Sequence, residues 1–221
     1  MIKYEEEMLN IITALDKSGI LKHCIIGGSW AMYFYVHMFE SFVPPIATTD
    51  FDIFLPVYSK IKKTNFTSLL TDLDYVRDDD YLSGKTKFYS KTGFELEFLT
   101  LPNRAMNNVI TIPAIGIGAE ALPKMAPLLW NYVTVDFHGL LVNVPSPSSY
   151  CLQKLLINSE RRIDKQEKDI QAIRYVLSFV NASNKYSDEF IESFNSSPKK
   201  WKKTILETIK KHKIETPLLD K

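Results

Sequence analysis

The sequence predicts a mixed α/β (α+β) fold, in which a small mixed β-sheet core flanked by helices is followed by a C-terminal helical region. Between about residue 20 and residue 145, short apolar runs rich in Ile, Phe and Val are separated by Gly and Pro turn signals. From Tyr150 onward, apolar residues instead recur at three- and four-residue steps. The change falls at Pro145-Ser146-Pro147-Ser148, so the expected division is a core over 1–145 and a helical region over 146–221. No internal repeat interrupts this order.

Taken in order, residues 4–19 place Met8, Ile11, Ile12, Ala14 and Leu15 at helical spacing behind Glu5, Glu6 and Glu7, whose charges suit a helix N-terminus. Leu21 to Ile26 reads as a short strand, Gly27-Gly28-Ser29 as a turn, and Trp30 to Met38 as a helix. Pro44-Pro45 forces extended backbone ahead of a strand over Ala47 to Leu55, which Pro56 ends. Leu69 to Leu73 belongs to a short helix, and Asp72 to Gly84 is polar turn and loop. Lys87 to Ser90 and Phe94 to Thr100 form a hairpin around Lys91-Thr92-Gly93. The stretch from Pro102 to Pro127 has no clear period and reads as a linker with local structure. Tyr132 to Phe137 and Leu140 to Val144 make a second hairpin around His138-Gly139. Helices are expected over 150–158, 165–181, 186–195 and 198–212, the first capped by Ser148 or Ser149.

With 221 residues, 45% of them hydrophobic, the chain can bury a real core. A net charge of +1 gives the whole molecule no strong field toward nucleic acid, so any hold on an anion is local. Cys24 and Cys151 sit in apolar surroundings at a spacing that suits neither a zinc ribbon nor a disulfide framework, and they read as buried free thiols. No run of about 18 apolar residues occurs and the first residues form no apolar signal segment. The expectation is a soluble, cytoplasmic protein without a membrane partner.

The acids carry the chemistry. Side chains two apart on a strand share a face, so Asp50 and Asp52 present two carboxylates roughly 7 Å apart. Their neighbours Phe51, Ile53, Phe54 and Leu55 are apolar, and an uncompensated buried charge costs several kcal/mol. A second pair, Glu95 and Glu97, alternates with Phe94, Leu96 and Phe98 in the same manner. Two such strands side by side gather carboxylates that repel one another unless a cation or protons intervene. Mg²⁺ prefers such oxygen donors, and two ions about 3.5–4 Å apart serve many phosphoryl-transfer sites.

Two further features are candidates for binding phosphate. Gly27-Gly28-Ser29, between strand and helix, leaves backbone N–H groups open to an anion, though without the spacing of a Walker loop. Lys154 lies among Cys151, Leu152, Leu155 and Leu156, where an ammonium needs a partner, and a phosphate is one.

Gly27-Gly28-Ser29, Thr49-Asp50-Phe51-Asp52 and Glu97 in Glu-Leu-Glu-Phe-Leu resemble, in order and separation, the signature of the DNA polymerase beta-like nucleotidyltransferase superfamily. Val144-Pro145-Ser146-Pro147, Lys154-Leu155-Leu156, Arg161-Arg162 and Lys168-Asp169-Ile170-Gln171-Ala172 look like the helical part of bacterial nucleotidyltransferase-domain proteins related to abortive-infection toxins. The resemblance covers about residues 20–180. It implies that Asp50 and Asp52 bind Mg²⁺ or Mn²⁺, and that Glu97, where relatives more often carry Asp, completes the catalytic and metal-binding set. Glu95 is the alternate third acid. It further implies that Gly27, Gly28, Ser29 and Lys154 bind the nucleotide, an ATP or another nucleoside triphosphate. The implied reaction is attack by an acceptor hydroxyl, on RNA or protein, at the α-phosphorus, with pyrophosphate leaving.

Two other functions compete on the same residues. One is a nucleotide- or partner-binding module whose acids hold metal weakly. The other is a toxin-like enzyme that modifies transfer RNA and is answered by an antitoxin, with the basic segment Lys199 to Lys213, Trp201 interleaved, along the RNA backbone.

Overall fold

The computed structural model describes residues 4–39, 48–56 and 58–218. The Pro44-Pro45 step and the start of the expected strand at Ala47 lie outside the described residues. The chain forms two compact units. One gathers the described residues up to Pro123 together with Thr134–Val144, and the other gathers Lys124–Val133 and the described residues from Pro145 onward.

In the first unit, helix α1 (Glu5–Lys17) has its three glutamates in the first turn and buries Met8, Ile11, Ile12, Ala14 and Leu15, as the helical spacing requires. A short 3-10 turn, Leu21–His23, leads into β1 (Ile25–Ile26), and helix α2 (Trp30–Tyr35) follows the double glycine. Strand β2 (Asp50–Phe54) and helix α3 (Phe66–Thr71) come next, with Asn65 capping α3 through its side chain. Strands β3 (Val76–Asp79), β4 (Thr86–Tyr89), β5 (Glu95–Thr100), β6 (Val109–Ile112) and β7 (Ile117–Ala121) complete a sheet of order β1-β2-β5-β4-β3, in which β7 joins β5 and carries β6. The sheet is mixed: β2 and β5 run parallel, while β4 is antiparallel to β5.

Two regions expected as loop are strands. Within Asp72 to Gly84 lies β3, an edge strand whose four residues are all exposed and so carry no apolar alternation. Within Pro102 to Pro127 lie β6, β7 and the start of a 3-10 helix, Pro123–Leu129. Gly118 belongs to β7 because of a close approach: a Cβ there would stand 1.9 Å from the Gly84 carbonyl oxygen.

One face of the sheet is sealed by aromatic side chains. The Trp30 ring stands 6.0 Å from Phe51 and 5.5 Å from Phe94, all three fully buried. Burial of such rings stabilises by about 1.5–3 kcal/mol each, which fixes β2 against α2 and so places the acids on the opposite side of β2. Strand β8 (Tyr132–Phe137) and strand β9 (Leu140–Pro145) form the second hairpin, with His138 and Gly139 both at positive φ in the tight turn.

The second unit is built on helix α4 (Pro147–Ile157), in which every residue from Pro147 to Leu156 is buried. Its N-cap is Ser146, two residues before the expected Ser148 and four before Tyr150, where the helix was expected to begin. Ser146 accepts from the Ser149 N–H, and Pro147 occupies the first turn, where its missing N–H costs nothing. Ser148 instead donates to the Tyr186 carbonyl. Helices α5 (Ile163–Asn181), α6 (Asn184–Ser196) and α7 (Lys199–His212) pack around α4.

Candidate active site

The sheet register decides which carboxylates meet. Strands β2 and β5 are parallel neighbours, with Asp50 level with Glu95 and Asp52 level with Glu97. Register partners share a face, so all four acids project from one side of the sheet. Each is part-exposed, while Phe51, Ile53, Leu96 and Phe98 on the other side are fully buried. The strand is therefore buried on its apolar side and half-open on the acid side.

Further along the same face, Phe54 and Leu99 close the strands with apolar cover. The acids thus occupy the open end of the strand pair. Thr49 lies beside Asp50, its hydroxyl 3.4 Å from the carboxylate.

The double glycine is built onto this pair. β1 is antiparallel to β2, and past its end the Gly27 N–H donates to the Asp52 carbonyl at 2.9 Å. Gly28 has φ +59, and a Cβ at that position would lie 2.1 Å from Asp52 Oδ2. A side chain is thus excluded twice, by backbone conformation and by the carboxylate beneath it. Ser29 follows in helical conformation without using its hydroxyl as a cap. The structure therefore brings together Gly28, Asp52 and Asp50, with Glu95 and Glu97 on the adjoining strand.

Two residues of this face were absent from the expected set. On β4, Lys87 lies level with Glu97 and Tyr89 level with Glu95. The Lys87 ammonium pairs with both glutamates, and Lys85 Nζ lies 3.3 Å from Glu97 and 2.5 Å from Glu120 of β7. Burial pushes the Glu97 carboxyl up, but Lys87 and Lys85 outweigh it and hold the group below the usual carboxylate range. Burial likewise lowers Lys87, and its two glutamates overcome this and raise it above an ordinary lysine. The hairpin signal contained this pairing, since counting back from the Lys91-Thr92-Gly93 turn sets Lys87 opposite Glu97.

Oxygen donors suit a hard divalent cation, and Asp50 with Asp52 fits in kind and in placement. Glu97 fits in kind alone, because its carboxylate is engaged by two ammonium groups. Among the described residues, no three Asp, Glu, His or Cys side chains stand as a group ready to hold an ion.

Lys154 is in the second unit, on α4, and is 5% exposed. Its charge is met by Asp169 of α5 at 2.8 Å, and Arg161 stands 3.4 Å from the other oxygen of that carboxylate. The Tyr150 ring lies 5.8 Å from the same ammonium. The partner that the sequence left open to a phosphate is present within the helical unit. On α7, Trp201 packs 6.2 Å from Trp130, while Ile205, Thr208 and Ile209 face inward and most of the lysines face out.

A strand–Gly-Gly–helix turn is thus seated on the second acid of an Asp-x-Asp strand, beside a parallel strand carrying acids in register, the arrangement that the resemblance to nucleotidyltransferases led one to expect. The chain belongs to the nucleotidyltransferase family, whose sequence model matches residues 6–197. It is a nucleotidyltransferase by this membership. No curated protein matches the sequence.

Among solved structures, it resembles an antigenic nucleotidyltransferase-like protein from Paracoccidioides brasiliensis, with TM-score 0.55 and 18% identity over 95% of this chain and 89% of that one. At that identity the likeness is one of fold. Weaker likenesses, each at TM-score 0.47, are to the antibiotic-resistance factor ANT(2'')-Ia in solution and to ANT(2'')-Ia in complex with adenylyl-2''-tobramycin. The first is 14% identical over 86% of this chain and 89% of that one. The second is 12% identical over 94% and 97%. No helix of the described residues is long and apolar enough to cross a membrane.

Proposed function

We propose that the protein transfers a nucleoside monophosphate from a nucleoside triphosphate to a hydroxyl of RNA or protein, using Mg²⁺ or Mn²⁺ at Asp50 and Asp52. The observation that carries this is Gly28, where a Cβ would stand 2.1 Å from Asp52 Oδ2, so that no side chain fits. A turn stripped to backbone seats the Asp52 carboxylate directly against the strand-to-helix turn, the kind of backbone that approaches phosphate groups. Tight packing of this kind also holds Asp52 in one place before substrate arrives.

A divalent ion at Asp50 and Asp52, which would hold it, would polarise the α-phosphate and neutralise charge on the attacking and leaving oxygens. The backbone of Gly27, Gly28 and Ser29 approaches the phosphates. The acceptor oxygen forms a bond to the α-phosphorus as the bond to the β-phosphate's bridging oxygen breaks, and pyrophosphate carries that oxygen away. Asp52 or Glu97 takes the hydroxyl proton. Lys154, whose charge Asp169 answers, serves the helical unit as a buried ion pair.

The test is incubation of the protein with each nucleoside triphosphate, labelled at the α- or the γ-phosphate, in Mn²⁺ and a cell extract. Label from the α-phosphate alone should appear on a macromolecule, and Asp52→Asn should lower it by about 10²-fold or more. Equal labelling by Asp52→Asn contradicts the assignment. Nucleotide retention with no transfer from any triphosphate favours a binding module instead.

A further inference from the structure

We infer that the lysine-rich outer side of α7 is a docking surface for the phosphodiester backbone of RNA, making RNA rather than protein the acceptor. The choice of acceptor rests on the transfer reaction proposed above, whereas the surface stands on α7 alone. The chain's net charge of +1 conceals a segregation. Residues 199–213 carry seven lysines and one glutamate, so that elsewhere 20 Lys and Arg face 25 Asp and Glu. A block of one sign on one element gives a local field that the whole molecule lacks.

A solvated helix face is the ordinary setting of such lysines, and part of α7 fits it. Lys210 and Lys211 sit in the last turn, where the negative end of the helix dipole favours them. Lys202 donates to the Asn195 carbonyl near the end of α6, a usual partner for a lysine at a helix C-terminus. The other end of α7 breaks the rule. Lys199, Lys200, Lys202 and Lys203 fall within its first five residues, no acid stands in the first turn, and Pro198 supplies no side-chain cap. Positive charge there opposes the dipole and destabilises the helix. Among the described residues, Lys199 and Lys200 have no carboxylate partner, and Lys203 reaches only Glu207, at 3.9 Å and with both side chains mostly exposed. A bound polyanion turns this cluster from a cost into a gain.

The shape of the surface selects among polyanions. Lys199, Lys202, Lys203, Leu206, Glu207 and Lys210 line one shallow groove. At about 1.5 Å of rise per residue, Lys199 to Lys210 spans about 16 Å, enough to follow several phosphates of one strand. The groove offers a single apolar side chain, Leu206, because Trp201 is turned onto Trp130. Protein interfaces are built on aromatic and apolar anchors and are poor in lysine, and an anionic membrane needs an apolar face to insert. A phosphodiester backbone needs only repeated positive charge. RNA adds a 2′-hydroxyl at every nucleotide, the acceptor group of the proposed transfer.

The experiment follows binding of the full chain to a short mixed-sequence RNA by fluorescence anisotropy across a salt series. Wild type should bind, with affinity falling steeply as salt rises. The triple variant Lys199→Gln, Lys200→Gln, Lys203→Gln should weaken binding about tenfold or more. It should also flatten the slope of log affinity against log salt by about 2, at about 0.7 per lost phosphate contact. Its melting temperature should be no lower than wild type's, because charge opposing the dipole has gone. No RNA binding by wild type, unchanged affinity in the variant, a lower melting temperature, or tighter binding to phosphatidylserine vesicles than to RNA overturns the surface. For the acceptor, label transferred from the α-phosphate in cell extract should be released by ribonuclease and not by protease. Label released by protease overturns the choice of RNA and leaves the transfer reaction standing. Asp52→Asn should bind RNA as wild type does while losing transfer, which keeps failure of the surface distinct from failure of the proposed function.

Discussion

The two units handle buried charge in opposite ways. On α4 and α5, Lys154 and Asp169 are each 5% exposed and meet at 2.8 Å, with Arg161 beside them. On the acid face of the sheet, Glu95, Glu97 and Glu120 pair with Lys85 and Lys87, and the strand carrying Asp50 and Asp52 stays half-open on that side. The helical pair is buried and closed by the packing of α5 on α4, whereas the acids of the sheet face are half-exposed, although both first read as charges among apolar neighbours.

Breaking the closed pair should have the largest effect on folding. Asp169→Ala leaves the Lys154 ammonium buried beside Arg161 and should cost about 3–5 kcal/mol in chemical denaturation. Replacing both partners, as Lys154→Met with Asp169→Leu, should restore much of that loss, because no charge is then stranded. A loss of under about 1 kcal/mol for Asp169→Ala would place this pair with the weak surface bridges.

Gly28→Ala comes next and sharpens the other side of the comparison. It puts a methyl on Asp52 Oδ2 at a backbone conformation that L residues avoid, for a strain of about 1–3 kcal/mol. Because the displaced atom is the carboxylate itself, transfer activity should fall by more than the stability loss explains. Activity measured well below the melting temperature checks this, and full activity there would mean that Asp52 need not hold its place.

The same contrast explains what could be read from the sequence. The first helix, β2, β5 and the later helices were legible because burial on one side leaves a period: alternation in Phe51 to Phe54 and Phe94 to Phe98, and three- and four-residue steps from Tyr150 onward. Strand β3, with Val76, Arg77, Asp78 and Asp79 all exposed, has no buried side and left no period. Strand β7 was hidden for another reason: Gly118, Ala119 and Ala121 are small because neighbours approach closely, and small residues read as loop.

Within the site, Asp50, Asp52 and the double glycine were legible from spacing and from the resemblance together. The choice between Glu95 and Glu97 was not, because period 2 treats them alike. Register resolves it only in part, since each lies level with one aspartate. Lys154 stood out by its apolar neighbours, but its partner Asp169 is fifteen residues away and is brought near by the packing of α5 on α4.

The smallest effect bears most directly on the central proposal, that Asp50 and Asp52 hold a divalent cation. The melting temperature of the whole chain should be followed as Mn²⁺ is titrated in, at fixed ionic strength. An ion that binds only the folded state stabilises it by RT ln(1 + [L]/Kd), about 2.7 kcal/mol at a hundredfold excess over Kd. A saturable rise in wild type that is absent in Asp50→Asn is the predicted result. Equal rises in the two proteins, or no rise in either, would contradict it.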